Sequence, residues 1–139
     1  MNREMKIASR IVADSAGVWG PGGIRDQNGI RISFHVEGGI TRHSIDNAQM
    51  IRNAGFQFVQ GICRYDKRKG DYYLDATFQR AGQRVAFTFS GFSWGYGGEG
   101  PHGLLEFGRI FGIHLDPRKV MGGADMPDAG KVDLVQAFG

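Results

Sequence analysis

Two rhythms of apolar and polar positions alternate along this chain. Behind Asn2, a residue suited to an N-cap, Met5, Ala8, Ile11 and Val12 recur at helical spacing. The stretch from Gly17 to Gly29, with Pro21 and three further glycines inside it, cannot continue that helix. Ile30, Ile32, Phe34 and Val36 then alternate with Arg31, Ser33 and His35, which is the period of a half-buried strand. Thr41 or Ser44 is placed to start a second helix with a buried stripe of Ile45, Ala48 and Ile51, and Gly55 stands where a left-handed residue would stop it.

A three-strand meander follows. Its first strand runs from Phe56 to Tyr65 and ends in the polar turn Asp66-Lys-Arg-Lys-Gly70. Tyr72, Leu74, Ala76 and Phe78 alternate along the second strand, which turns at Ala81-Gly82. Val85, Phe87 and Phe89 alternate along the third. Connections this short imply antiparallel neighbours, because parallel strands need a long crossover. Beyond a glycine-rich segment, Pro101 is suited to open a third helix with Leu104, Leu105, Phe107, Gly108 and Phe111 on its apolar face, ended by Gly112. Ile113 to Leu115 reads as a short strand, Met121 to Gly130 as loop, and Val132 to Phe138 as a final strand or short helix. The expectation is an α+β fold, an antiparallel β-meander packed with two or three helices, in one domain over residues 1–139.

Composition narrows the class. With 41% apolar residues the chain has enough material for a core, and it contains no run near the ~18 apolar residues of a membrane helix. Its N-terminus lacks the apolar stretch of a secretory signal, and a lone Cys63 leaves no intrachain disulfide and suits a reducing compartment. Seventeen basic residues against fourteen acidic ones give only +3, but twelve of the seventeen are arginine, the side chain suited to forked phosphate contacts. A protein that grips long nucleic acid usually carries a denser basic patch.

Glycine is the outlier. There are 23 in 139 residues, and six of them fall in the thirteen positions from Gly91 to Gly103. That segment joins a strand to a helix start, where free backbone N–H groups and the helix dipole favour an anion. Side-chain-free positions also let backbone approach a ligand closely. Phe92, Trp94 and Tyr96 are interleaved, with Phe89 just before, and such rings can stack on a nucleobase. Phosphate cradle and ring platform together suggest a nucleotide; the competing explanation is a glycine-rich turn whose aromatics complete the core. Gly95, Gly97 and Gly100 also match G-x-G-x-x-G, but that fingerprint belongs to a parallel strand–helix–strand unit, not to the end of a meander.

Catalytic and metal signals are weak. His35-x-Glu37 and His114-x-Asp116 have the spacing of paired ligands, but ordinary surface pairs are commoner. Glu99 and His102 flank Pro101 as a possible base and acid, or as ligand-holding or capping groups. No nucleophile elbow, Walker loop or paired-carboxylate signature is present, so no metal or cofactor is expected.

The segment Trp94-Gly-Tyr-Gly-Gly-Glu-Gly-Pro-His-Gly-Leu104, set between a β-meander and a helix, resembles the glycine-rich stretch of the Thoeris anti-defence protein one family. These are small phage proteins that sequester cyclic ADP-ribose signals made by bacterial TIR enzymes; some also hold cyclic oligonucleotides. The likeness rests on about a dozen residues. It implies a non-enzymatic sponge in the cytoplasm of an infected bacterium, a homo-oligomer with ligand pockets between protomers. By position, Arg64 on the meander, Phe89 at a strand end, the loop residues Tyr96, Gly97, Gly98, Glu99, Gly100, Pro101 and His102, and the later Arg118 would contact the signal. Glu99 departs from the pattern, since a neutral side chain suits a base edge better. The alternatives are a protein-binding inhibitor of a defence system, with Phe92, Trp94 and Tyr96 as its hot spot, and a small hydrolase or lyase using Glu99 and His102.

Overall fold

A computed structural model describes residues 23–26, 30–33, 39–122 and 130–139. The first expected helix therefore lies outside the described residues, as do 34–36 of the first expected strand. Where loop was expected, β1 (Gly23–Asp26) pairs antiparallel with β2 (Ile30–Ser33), and this ribbon lies alongside the third meander strand.

The meander forms as its alternation requires. β3 (Gln57–Asp66), β4 (Asp71–Arg80) and β5 (Gln83–Phe89) are joined in antiparallel order, and a short β6 (Lys131–Asp133) adds to the outer side of β3. The sheet order is β5-β4-β3-β6. Leu74, Ala76 and Phe78 face inward from β4, with Cys63 from β3 and Phe87 and Phe89 from β5, all essentially buried. A β-bulge between Phe58 and Gln60 leaves Val59 unmatched and turns Phe58 inward against Phe78.

α1 (Thr41–Asn53) and α2 (Glu99–Phe111) pack against each other, and α2 lies across the inner face of the sheet. Phe107 of α2 meets Phe58, Phe78, Phe89 and Phe92 edge-on or tilted, at centroid distances of 5.4–6.3 Å. α1 buries Ala48 and Ile51 as its stripe predicts, and Gly55 follows it with φ +91°. The expected cap residues work differently. Ile40 is the N-cap; the Thr41 hydroxyl donates to the Gly91 carbonyl at 2.7 Å, and the Ser44 hydroxyl accepts from the Gly91 N–H at 2.9 Å. These two bonds tie α1 to the segment that leaves β5.

The remaining chain departs from expectation in three places. α2 begins at Glu99 rather than Pro101, which stands in the first turn, where its missing N–H has no intrahelical partner to lose. Residues 113–116 are irregular, held by the Ile113 N–H on the Gly108 carbonyl at 2.7 Å, instead of forming a strand. Pro117–Gly122 forms the short helix α3, so Met121 and Gly122, expected as loop, are helical, and 123–129 of that expected loop lie outside the described residues. The C-terminal stretch is both strand and helix. After β6, the Asp133 carboxylate accepts from the N–H groups of Val135 and Gln136 and starts α4 (Leu134–Phe138). The class is α+β, with four helices among the described residues, none long and apolar enough to cross a membrane.

Candidate functional site

Most of the glycine cluster is committed to packing. A Cβ on Gly91 would lie 2.5 Å from the Ile40 carbonyl and the Ser44 hydroxyl. One on Gly100 would overlap the Ser93 hydroxyl, and one on Gly103 the Thr41 methyl. Gly95 is needed for its φ of +92°, and its N–H donates to the Val120 carbonyl at 2.8 Å, pinning the loop to α3. Gly97 alone faces open space at an ordinary backbone angle. The broad phosphate cradle expected from composition therefore contracts to Gly97 and Gly98, whose amides make no hydrogen bond among the described residues.

The rings divide in the same way. Phe89, expected to stack on a ligand, is fully buried between Phe78, Phe92 and Phe107 and presents no face to a ligand. Phe92 is fully buried and Trp94 is 3% exposed, so the expected three-ring hot spot does not exist on the surface. Tyr96 is the exception at 48% exposed. Its hydroxyl bonds the Ser93 hydroxyl at 2.7 Å, and its ring lies against Gly98, where a Cβ would come within 3.0 Å. Tyr72 brings Tyr96 into a larger arrangement. Its ring is 6.4 Å from Tyr96, 4.7 Å from Tyr65 and 4.9 Å from Trp94. Tyr65 and Tyr72 are the last inward pair of the β3–β4 hairpin, so three tyrosines form a ledge at that end of the sheet. Burial, then the neighbouring Tyr65 and Tyr96, raise the Tyr72 phenol above its ordinary value and keep it neutral. Sequence reasoning missed Tyr65 and Tyr72. Their signal was the alternation itself, which put both on the inner face next to the turn.

Arg64 occupies the other face of the sheet. Its guanidinium lies 4.3 Å above the Tyr73 ring and donates to both Asp75 carboxylate oxygens, at 3.0 and 3.4 Å, while the Thr88 hydroxyl donates to the same carboxylate at 2.8 Å. The Asp75 hydrogen bond raises the Arg64 pKa further. Arg64 and Tyr96 thus lie on opposite faces, and one ligand touches both only if they come from two copies of the chain. Arg118 is exposed on α3; the expected Asp-Pro-Arg turn is present as its cap, with the Arg118 N–H on the Asp116 carboxylate at 2.9 Å.

Glu99 and His102 are exposed and line a groove of about 580 Å³ between α1 and α2, with Arg42, Asp46 and Glu106. The Glu99 carboxylate stands in the first turn of α2, where it complements the helix dipole as a bound anion would. His35 and Glu37 lie outside the described residues, and no cluster of metal-ligating side chains occurs among the described ones. The strand before the loop is antiparallel β5, so Gly95, Gly97 and Gly100 do not open a dinucleotide-binding unit.

Cys63 is no nucleophile. It is fully buried, and burial first, then the charges of Asp133 and Asp75, push its thiol well above the ordinary range. A thiol reagent at pH 8 is expected to leave the native protein unmodified and to label one thiol once it is denatured. The folded thiol keeps its proton to higher pH than the unfolded one. Its contribution to stability is therefore complete below about pH 8.5 and falls by about 1.4 kcal/mol per pH unit above it.

No protein-family model, curated protein or solved structure matches the chain.

Proposed function

We propose that the protein is a non-catalytic binder that sequesters a small cyclic nucleotide signal, of the cyclic ADP-ribose or cyclic oligonucleotide kind, at the Tyr65–Tyr72–Tyr96 ledge beside Gly97 and Gly98. One observation carries this reading. Tyr96 is the exposed ring of an aromatic cluster whose other members are buried or half-buried, and it is held in place by Ser93 beside two glycine amides that make no hydrogen bond among the described residues. A ring already fixed by its neighbours loses little freedom when a base stacks on it. The resemblance of the Trp94–Leu104 segment supports the same ligand class. In a homo-oligomer, Arg64 of a second copy would add a further phosphate contact to this face.

Calorimetry against cyclic ADP-ribose isomers and cyclic di- and trinucleotides tests the proposal, with mass spectrometry of the ligand released by heating. The expected result is tight binding of at least one probe, returned chemically intact. Tyr96→Ala should weaken that binding tenfold or more, in keeping with the ~1–3 kcal/mol of one stacked base. No heat with any probe would refute the reading.

One observation favours a second reading, a nucleotide hydrolase or lyase: Glu99 and His102 share the α1–α2 groove. Loss of an incubated nucleotide, abolished by Glu99→Gln, would establish it over the sponge.

A further inference from the structure

The ledge has rings but needs a partner for phosphate, and the place for that anion at the start of α2 is taken by Glu99. A group of unpaired positive charges stands on the β3–β4 turn, next in sequence to the ledge tyrosines. Asp66 and Asp71 close the ladder one residue beyond Tyr65 and Tyr72, a step of about 3.3 Å along each strand. Between them stand Lys67, Arg68 and Lys69, three consecutive exposed cations, none of them ion-paired among the described residues.

The two carboxylates that flank these cations point elsewhere. Asp66 accepts from the backbone N–H groups of Arg68 at 2.9 Å and Lys69 at 3.3 Å, while its carbonyl accepts from Gly70 at 2.7 Å. Asp71 accepts from the Tyr73 hydroxyl at 3.2 Å on the opposite face. Gly70, at φ +70°, lets the chain close so tightly. Asp66 therefore acts as a brace that shapes the turn, and the three cationic side chains project from it. Three cations against two carboxylates leave the turn at +1, with Asp66 engaged by the turn's own backbone and Asp71 held on the opposite face.

We infer that Lys67, Arg68 and Lys69 are the phosphate-binding side of the ledge: a nucleotide stacks its base on Tyr96 and Tyr72 and sets its phosphates against the turn. The inference rests on the nucleotide reading proposed above and adds to it the residues that select a phosphorylated ligand over a bare nucleoside. Arginine supplies a fork for two phosphate oxygens, and the lysines add point charges that long-range screening by salt weakens.

The test is the affinity of the full chain for cyclic ADP-ribose, cyclic di-AMP and cyclic tri-AMP at low and at physiological salt, in the wild type and in the triple variant Lys67→Gln, Arg68→Gln, Lys69→Gln. The expected result is a loss of at least tenfold for whichever probe binds, a flatter salt dependence and an unchanged melting temperature. Arg68→Gln alone should show a smaller loss of the same kind, and it carries the test should the triple variant fold poorly. Wild-type affinity and salt dependence in the folded variants would overturn the turn's role while leaving the ledge in place. A wild-type protein that binds none of the probes would overturn both.

Discussion

Replacing Phe107 with Ala is expected to destabilise the protein by about 3–5 kcal/mol, the usual cost of deleting a buried phenyl ring. For a domain of this size that lowers the melting temperature by roughly 10–20 °C. The reason is position. Phe107 is fully buried at the centre of α2, and its ring touches Phe58 on β3, Phe78 on β4, Phe89 on β5, Phe92 in the segment beyond and Phe111 one turn along the helix. No neighbour can fill the void without breaking an edge-to-face contact of its own. Thermal and urea unfolding would measure the effect. A loss under about 1 kcal/mol would mean that α2 does not sit on the sheet in this way.

Gly91→Ala is expected to cost about 1–3 kcal/mol, the range of an overpacked core position, although it adds a single methyl group. The added carbon would stand 2.5 Å from the Ile40 carbonyl, which belongs to backbone and cannot swing aside, and 2.5 Å from the Ser44 hydroxyl. Moving either group strains the two hydrogen bonds that lock Gly91 to the first turn of α1. Gly97→Ala, made in the same cluster six residues on, should leave stability within about 0.5 kcal/mol, since nothing lies near its Cβ position. Equal melting temperatures for the two variants would contradict the division of this cluster into packing glycines and one open glycine.

Much of the fold is legible in the sequence because period-2 alternation and short polar turns leave the meander few other options. Tyr72, Leu74, Ala76 and Phe78 fall on one face because they are two residues apart, and Gly55 and Gly112 end their helices from left-handed angles as expected. What the sequence hides is contact at a distance. Thr41 and Ser44 look like helix caps, yet they bond a residue 50 and 47 positions away. Phe89 and Phe92 look like ligand rings when read along the chain, and only the arrival of α2 buries them. The bulge at Val59 reverses which residues of β3 face inward, and no local signal marks it.

The candidate site was less legible for the same reason. A run of glycines says that backbone comes close to something, without saying whether that is a ligand or another part of the chain. Here Ser93, Thr41, Ile40 and Ser44 answer for Gly91, Gly100 and Gly103. Gly97, Gly98 and Tyr96 remain open to the outside, and the tyrosines they adjoin were predicted only as strand residues.

Amide-resolved NMR of the labelled protein during titration with cyclic ADP-ribose, cyclic di-AMP and cyclic tri-AMP reads out whether a nucleotide sits on the proposed tyrosine ledge. One of these probes is expected to shift the amides of Tyr96, Gly97 and Gly98 most, followed by those of Lys67 to Gly70. Shifts confined to the α1–α2 groove around Thr41, Gln49 and Glu106, or no shifts with any of the three, would contradict it.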